Sequence, residues 1–347
     1  MKTLIDEMIQ IPSAELPSSP RDFKPDVDVR WCAGCGAISV LTSTQRLLPD
    51  LGLPKEKIVF VSGIGCSGRF PYYVDTYGFH TIHGRAIPVA TGLKLSRPDL
   101  SVWVITGDGD NMSIGGNHFI HGCRRNVNLN VLMFNNEVYS LTKGQYSPTS
   151  KRGQVTKSSP RGVLEDPFNP VALALGAGAG FVARAHDKDR QAMQRVLGAA
   201  HAYPGFSFVE IYTNCRIFND GAFDRYTSPD TRDDSTIWLE HDKPLVFGKA
   251  KDKGIRLDGY TPRVVSLTSG EWSADDLVVH NQEDTTLALI LANMTYHEDL
   301  PRPMGILQQL KKESHDQRLQ SLLADAGFES NSDLQQLLIG ESSWQVS

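Results

Sequence analysis

Short apolar runs alternate with helix-like segments through the middle of this 347-residue chain. The runs with strand-like composition are "KIVFVSG", "SVWVITGDGD", "LNVLMFNN", "GFVARAH" and "FSFVEIYT". Between them lie a polar loop and the helix-like segments "SIGGNHFIHGCRRN", "NPVALALGAGAG" and "DKDRQAMQRVLGAAHAY". Continuous apolar strands separated by helices are typical of a parallel sheet that is covered on both faces. The sequence therefore predicts an α/β fold built on a parallel sheet with helices on both faces.

The pattern divides the chain into three predicted parts. Residues 1–30 are rich in Pro, Ser and charge and are predicted to form an N-terminal arm. Residues 31–225 form the α/β domain, and residues 226–347 form a smaller, more polar C-terminal extension that we expect to dock a subunit. In the extension, "DTTLALILANMT" and "MGILQQLKKESHDQRLQSLLADAG" are predicted helices. The second helix either covers a core or serves as a docking tail.

Charge and hydropathy argue against several classes of protein. A net charge of −5 gives no bulk attraction for nucleic acid, so we expect no such partner. No run approaches the roughly 18 apolar residues of a membrane span. The start, "MKTLIDEMIQIPSAELP", contains acidic residues and lacks the continuous apolar region of a secretory signal. We therefore expect a cytoplasmic protein whose cysteines are reduced.

The most specific motif is "VITGDGDN", at the end of the second strand. Gly107 and Gly109 have no side chains, so their backbone amides can approach phosphate oxygens closely. Asp108 between them is an oxygen ligand that suits a magnesium ion bridging a diphosphate. The motif therefore indicates a diphosphate–metal site beyond the end of this strand.

A second element of the same site lies on the next strand. This strand ends in Asn135 and Asn136, with 25 residues between Gly109 and Asn135. That interval accommodates a helix and a return strand, which brings the two strand ends side by side. The Asn136 side chain and the carbonyl of Val138 are then expected to share the ion with Asp108. The combined pattern resembles the thiamine-diphosphate-binding motif.

Four of the five cysteines occupy positions that suggest chemistry. Cys32 and Cys35 form the C-x-x-C pair of "RWCAGCG", Cys66 follows the first strand, and Cys215 follows the last. Four thiolates hold either a [4Fe-4S] cluster or zinc, whereas thiol exchange needs only the pair. An electron carrier is chemically useful beside a thiamine site, which favours the cluster, with zinc as the alternative. Cys123 falls within a predicted helix and is expected to be a buried small hydrophobic residue.

The chain from Trp31 to Pro160 resembles the β subunit of the 2-oxoacid:ferredoxin oxidoreductases. The resemblance lies in "WCAGCG", "GIGCSGR", "TYGFHTIHGRAIPVATGLK", "GDGDNMSIGGNHFIHGCRRN" and "NNEVYSLTKGQYSPT", and in the later "TNC". The C-terminal "EHDKPLVFG" is similar to the branch that oxidises 2-oxoglutarate. The resemblance implies a thiamine-diphosphate-binding domain of the diphosphate type.

The resemblance also implies roles for individual residues. The implied [4Fe-4S] ligands are Cys32, Cys35, Cys66 and Cys215, and the implied magnesium ligands are Asp108, Asn136 and the Val138 carbonyl. The implied thiamine contacts are Ile64, Gly65, Cys66, Ser67, His83, Gly109, Asp110, Ser140 and Leu141. Arg69 and His83 are the implied catalytic residues, and Arg69 matches the position that lies near the substrate.

Some parts of a complete thiamine enzyme are missing from the chain. Thiamine is activated by a Glu on a second, pyrimidine-binding domain, and the sequence contains no second α/β domain. In the family a separate α subunit supplies both, and the electrons leave to ferredoxin. The resemblance thus implies oxidative decarboxylation of a 2-oxoacid with CoA to acyl-CoA, CO2 and reduced ferredoxin, or the reverse carboxylation.

The sequence favours 2-oxoglutarate as the substrate, because Arg69 is a cation that can meet its second carboxylate. The alternatives are a pyruvate-specific or broad-range enzyme of the same family, a non-oxidative thiamine-dependent decarboxylase with structural zinc, and a non-catalytic scaffold subunit.

One segment stands out by its charge. "KGQYSPTSKRGQVTKSSPRG" carries five cations and no acidic residue, namely Lys143, Lys151, Arg152, Lys157 and Arg161. It is predicted to fold over or beside the site rather than to pack as core. It either guides an acidic ferredoxin or CoA phosphates towards the site, or is a plain solvated loop.

Overall fold

The structure, a computed structural model, describes residues 16–325 together with residues 340, 343 and 344. Its strands are β1 (Ile58–Ser62), β2 (Tyr77–His80), β3 (Ser101–Gly107), β4 (Leu129–Asn135), β5 (Phe181–His186), β6 (Phe206–Tyr212), β7 (Thr236–Leu239), β8 (Val246–Phe247), β9 (Lys253–Asp258), β10 (Thr261–Ser266) and β11 (Arg302–Gln309). Its α-helices are α1 (Gly36–Leu47), α2 (Ala86–Ser96), α3 (Asp108–Met112), α4 (Gly116–Arg125), α5 (Pro170–Gly176), α6 (Arg190–Ala202), α7 (Asp224–Thr227), α8 (Arg232–Ser235), α9 (Thr285–Asn293) and α10 (His315–Asp325). Short 3-10 helices span Pro20–Phe23, Leu48–Leu51, Lys55–Lys57, Ser67–Tyr73, Ala274–Asp276 and Met294–Tyr296.

The centre of the fold is an eight-stranded sheet with the order β2-β1-β3-β4-β6-β5-β11-β7. Neighbouring strands run parallel throughout, except that β11 is antiparallel to β5. Because β1, β3, β4 and β6 are parallel, their carboxyl ends meet at one edge of the sheet. The predicted α/β fold is therefore confirmed, and the segments that follow these four strands come together.

Both faces of the sheet are buried by helices. Side chains of a strand point alternately to the two faces, and β1 shows this directly. Val59 and Val61 belong to an apolar cluster that also holds side chains of α2 and α4. Ile58 and Phe60 belong to a second cluster, with side chains of α1 and α6. This double coverage explains why the central strands are continuous apolar runs in the sequence.

The prediction of one helix over residues 304–327 is wrong in its first half. Residues 302–309 form strand β11, which lies between β5 and β7, and the helix that follows covers only His315–Asp325. Pro303 disfavours a helix at this point, and so does Gly305, which has a φ of +93°. Residues 326 and 327 lie outside the described residues. The other predicted helix of the extension is confirmed as α9, which Asp284 caps by accepting a hydrogen bond from the Leu287 amide.

The division of the chain into residues 1–30, 31–225 and 226–347 remains a prediction. The strand order of the central sheet is relevant to the second boundary. Strands β7 and β11 come from beyond residue 226, yet they extend the same sheet as the α/β core. The extension also contains a separate three-stranded antiparallel sheet, β10-β9-β8. Of the N-terminal arm, residues 1–15 are not described, and Phe23 anchors the described part by complete burial. No helix in the described part of the chain is long and apolar enough to span a membrane.

Candidate functional site

A cavity of about 450 Å³ lies at the edge of the sheet where β1, β3, β4 and β6 end. Every residue that the sequence placed in the site lines it. These are Cys32, Cys35, Ile64, Gly65, Cys66, Ser67, Arg69, His83, Asp108, Gly109, Asp110, Asn136, Val138, Ser140, Leu141 and Cys215. The structure therefore brings together segments that are up to 183 residues apart in the chain, counted from Cys32 to Cys215.

One wall of the cavity is the start of α3, which directly follows β3. The Asp108 side chain is buried there, and its Oδ2 accepts hydrogen bonds from the hydroxyls of Ser147 and Thr149, both at 2.6 Å. Burial raises the pKa of Asp108, and the two hydroxyls act in the opposite direction by stabilising the carboxylate. Gly109 packs under Tyr139, whose hydroxyl donates to the Gly109 carbonyl at 3.0 Å. A Cβ on Gly109 would lie 2.2 Å from the ring, so any other residue here would have to displace Tyr139.

The turn after β4 supplies further oxygen atoms to the same wall. Asn136 and Val138 line the cavity, and the Asn136 Oδ1 accepts a hydrogen bond from the Val138 amide at 3.3 Å. Glu137 between them adopts a left-handed conformation, with φ +54°, which turns the chain sharply at this point. A carboxylate, an amide oxygen and a carbonyl are hard donors of the kind that magnesium prefers. The donor chemistry therefore fits the ion, although the assignment of these ligands stays a prediction.

The cysteine segments are tied to one another by hydrogen bonds. The Cys35 amide donates to the Cys32 carbonyl at 3.0 Å, and Cys35 is the residue that directly precedes α1. The next amide, of Gly36, donates at 3.0 Å to the carbonyl of Asn214, which precedes Cys215. The Trp31 indole donates at 2.7 Å to the carbonyl of Cys66. Three distant segments thus present their thiols to one space.

The thiols in the described residues form no disulfide. Burial is the main cause that raises the pKa of the Cys35 thiol to about 11, and the neighbouring thiols of Cys66, Cys215 and Cys32 add to it. Neighbouring thiols oppose ionisation in this way only when they lie near one another. No three His, Cys, Asp or Glu side chains of the described residues are already arranged around a metal position. Cys123 is fully buried in the core, as predicted.

Asp110 links three segments around the cavity. Its Oδ1 accepts from the amides of Gly84 at 2.7 Å and Ile64 at 3.1 Å, and its Oδ2 accepts from the Thr106 hydroxyl at 2.7 Å. The His83 Nδ1 also lies 2.8 Å from the Asp110 Oδ1. The carboxylate is therefore occupied by donors of the chain itself. A contact between Asp110 and a cofactor stays a prediction, and the structure gives this side chain a positioning role.

Arg69 lies at the cavity with its side chain free for a ligand. It belongs to the 3-10 helix Ser67–Tyr73 that follows Cys66. Among the described residues, no hydrogen bond or ion pair of the guanidinium is found. This places an exposed cation at the cavity, and a role of Arg69 near the substrate stays a prediction.

Ser147 and Thr149 are two residues of the site that the motifs in the sequence do not predict. The whole basic segment was predicted to fold over or beside the site rather than to pack as core, yet these two residues are buried beside Asp108. The cations of the segment that follow them, such as Lys151 and Arg152, are exposed. The available signal was the uncharged "SPTS" within an otherwise basic stretch.

The comparisons with known proteins agree with this geometry. Residues 63–211 match the model of the thiamine pyrophosphate enzyme C-terminal TPP-binding domain. The chain is 46% identical over 341 residues to the 2-oxoglutarate oxidoreductase subunit KorB of Mycobacterium tuberculosis, an alignment that covers 97% of this chain and 91% of the relative. It is 48% identical over 185 residues to the 2-oxoglutarate synthase subunit KorB of Archaeoglobus fulgidus, covering 53% and 69% of the two chains.

A solved structure is similar over nearly the whole chain. It is a 2-oxoglutarate:ferredoxin oxidoreductase from Magnetococcus marinus with 2-oxoglutarate, coenzyme A and succinyl-CoA bound. The TM-score is 0.75 at 32% sequence identity, and the match covers 92% of this chain and 94% of the other. With a thiamine-binding domain and relatives of this kind over almost its full length, the chain belongs to the β-subunit family of the 2-oxoacid:ferredoxin oxidoreductases, in the group of the KorB subunits.

Proposed function

We propose that the chain is the β subunit of a heteromeric enzyme that converts 2-oxoglutarate, CoA and oxidised ferredoxin to succinyl-CoA, CO2 and reduced ferredoxin. The observation that carries the proposal is a single cavity lined both by the oxygen donors of a diphosphate–metal motif and by four cysteines. The names of the relatives, KorB subunits of 2-oxoglutarate oxidoreductases, support the same assignment.

The oxygen-rich wall is the proposed site of magnesium and thiamine diphosphate. Asp108, Asn136 and the Val138 carbonyl would hold the ion, in keeping with its preference for oxygen ligands. Gly65 lines the cavity with φ +127°, and a Cβ there would meet no protein atom within 4 Å, so backbone rather than a side chain faces the open space. When bound, thiamine diphosphate supplies the electron sink for decarboxylation of a 2-oxoacid. The residues of this chain bind and orient it.

The thiol-lined wall is the proposed site of a [4Fe-4S] cluster held by Cys32, Cys35, Cys66 and Cys215. Such a cluster supplies one-electron transfer to ferredoxin, whereas zinc has no redox role. The Ser140 hydroxyl donates to the Cys66 Sγ at 3.3 Å, and hydrogen bonds to ligating sulfur tune such clusters. Cys66 also lies next to Ser67, a predicted thiamine contact, so this turn would connect the two cofactors.

The site is open where a partner subunit would complete it. Strand β2 is an edge strand, and its Tyr77 and Phe79 are 65% and 47% exposed. Ile82, which is 76% exposed, continues this apolar surface up to His83 in the cavity. An exposed edge strand with an apolar patch is typical of an interaction surface. We propose that the α subunit covers it and supplies the activating Glu and the pyrimidine-binding domain.

Arg69 is the basis of the substrate assignment. The second carboxylate of 2-oxoglutarate is costly to desolvate unless a cation meets it, and the Arg69 guanidinium is available at the cavity. Pyruvate would leave this Arg unpaired in the closed site, at a cost of about 1–3 kcal/mol. A pyruvate or broad-range enzyme is the alternative within the family, and a non-oxidative decarboxylase with zinc is the alternative outside it.

The test uses the full-length chain purified anaerobically with its partner subunit. Initial rates are measured for 2-oxoglutarate, 2-oxobutyrate and pyruvate with CoA and a one-electron acceptor. The proposal predicts a kcat/KM for 2-oxoglutarate at least about tenfold above that for pyruvate. A preference for pyruvate would overturn the substrate assignment. Release of CO2 without reduction of the acceptor would instead support the non-oxidative alternative.

A further inference from the structure

We infer that Ser147 and Thr149 are positioning residues that fix the Asp108 carboxylate for its magnesium ion. The inference rests on the proposed function, because it takes Asp108 to be a ligand of that ion. Its evidence is that both hydroxyls donate to the same carboxylate oxygen, Oδ2, each at 2.6 Å. All three side chains are buried, with exposures of 1% for Ser147, 3% for Thr149 and 2% for Asp108.

The two hydroxyl protons have no better acceptor. Each hydroxyl carries a single proton, so it can donate only once. The Ser147 Oγ lies 3.2 Å from the Thr149 hydroxyl and 3.4 Å from that of Ser150, and the Thr149 Oγ1 lies 3.1 Å from the Asn135 Oδ1. All of these distances are longer than the 2.6 Å to Asp108. Both protons are therefore directed at Oδ2.

Two donors on Oδ2 leave the other oxygen for a ligand. Among the described residues, no side chain donates a hydrogen bond to the Asp108 Oδ1, and the backbone amides of Asp108 and Gly109 also stabilise the carboxylate. With Oδ2 held on two sides, the carboxylate cannot rotate without losing two short hydrogen bonds in a buried position, which is costly. Oδ1 is therefore the Asp108 oxygen that no side chain of the described residues occupies, and it would be available to the ion.

The turn that carries the two hydroxyls is itself tied to the second group of oxygen donors. The Ser150 amide donates to the Ser147 carbonyl at 3.0 Å, and the Ser150 Oγ accepts from the Ser147 amide at 2.8 Å. The Ser150 hydroxyl in turn donates at 2.6 Å to the carbonyl of Glu137. Glu137 lies between Asn136 and Val138, the other two proposed ligands. The "SPTS" turn thus connects Asp108 and the turn after β4 into one unit.

This arrangement predicts an effect on the affinity for the metal. Hydrogen-bond partners that orient metal ligands typically change metal affinity about 10–100-fold when they are removed. Ser147→Ala combined with Thr149→Val should therefore raise the Mg2+ concentration for half-saturation by about 10–100-fold. Thr149→Ser keeps the hydroxyl, whereas Thr149→Val keeps the volume, so this pair separates the hydrogen bond from the packing.

The experiment titrates Mg2+ at a fixed concentration of thiamine diphosphate into the full-length chain purified with its partner, and follows cofactor binding by calorimetry. We expect the double variant to need far more Mg2+ but to reach full cofactor occupancy at high Mg2+. Thr149→Ser should stay within about threefold of wild type, because it retains the donor. If the double variant does not fold, Thr149→Val alone replaces it, with an expected increase of about three- to tenfold.

Asp108→Asn separates the possible failures. If this variant binds thiamine diphosphate with an unchanged need for Mg2+, the proposed metal site is wrong and the inference falls with it. If Asp108→Asn loses Mg2+-dependent binding but the hydroxyl variants do not, only the inference is overturned. It is also overturned if Thr149→Ser and Thr149→Val are equally impaired, or if high Mg2+ does not restore occupancy, because both results indicate a purely structural role.

Discussion

Replacing Asp110 by Asn should loosen three segments of the site at once. The carboxylate accepts hydrogen bonds from the amides of Ile64 and Gly84 and from the hydroxyl of Thr106. Hydrogen bonds to a charged acceptor contribute about 1.5–3 kcal/mol, whereas those to a neutral one contribute about 0.5–1.5 kcal/mol. Three such bonds therefore lose about 3 kcal/mol together, and relief of the buried charge offsets part of this loss. We expect Asp110→Asn to lower the free energy of unfolding by about 2–3 kcal/mol.

The assay is equilibrium unfolding of the purified chain in urea. Asp110→Ala should cost more than Asp110→Asn, because it leaves all three donors without an acceptor. Asp75→Asn is the matched control: its carboxylate pairs with Lys55 at 2.6 Å but is 55% exposed, so its loss should cost under about 1 kcal/mol. If Asp110→Asn is no more costly than this control, the hydrogen-bond account of Asp110 is refuted.

Three further predictions follow from other parts of the structure. Arg184 and Glu210 form a fully buried ion pair at 2.7 Å. Arg184→Leu should therefore lower the free energy of unfolding by about 3–5 kcal/mol, because it leaves a buried carboxylate without its partner. In the same urea assay, the double variant Arg184→Leu/Glu210→Leu should lose less unfolding free energy than the single variant. Arg69→Leu should reduce the preference for 2-oxoglutarate over pyruvate by about tenfold or more in kcat/KM; an unchanged preference would move the specificity away from this residue. Burial lowers the pKa of His186 to about 4, so the neutral ring stabilises the fold fully above pH 6.5, and this contribution is lost as the pH falls through 4. Between pH 7 and pH 5 the wild type should lose about 2 kcal/mol more unfolding free energy than His186→Gln; equal losses would contradict the assignment.

The sequence predicted the central strands and the edge that carries the site, and the reason is physical. Strands buried on both faces appear as continuous apolar runs, and parallel strands place their carboxyl ends together. The motifs around Cys66, Asp108, Asn136 and Cys215 each follow such a strand. Their meeting in one cavity was therefore predictable from the order of the elements alone.

Other features depend on contacts that have no local pattern. The sequence of strand β11 predicts a helix, because its place between β5 and β7 is set by packing with residues far away in the chain. The carboxylate of Asp110 is adjacent to a recognisable motif, yet its role comes from amides contributed by Ile64 and Gly84. The burial of Ser147 and Thr149 likewise depends on Asp108, some forty residues earlier in the chain. Such tertiary hydrogen bonds leave no periodic signal in the sequence.

Four cysteines from three segments are proposed to hold one [4Fe-4S] cluster beside the thiamine site. The most direct measurement is analysis of iron, acid-labile sulfide and zinc in anaerobically purified wild type, Cys215→Ser and Cys123→Ala. Cys123 is the matched control, because it is buried in the core away from the cavity. The account predicts about four iron and four sulfide per chain in wild type and Cys123→Ala, and a lost or incomplete cluster in Cys215→Ser. Zinc without sulfide in wild type, or an intact cluster in Cys215→Ser, would contradict it.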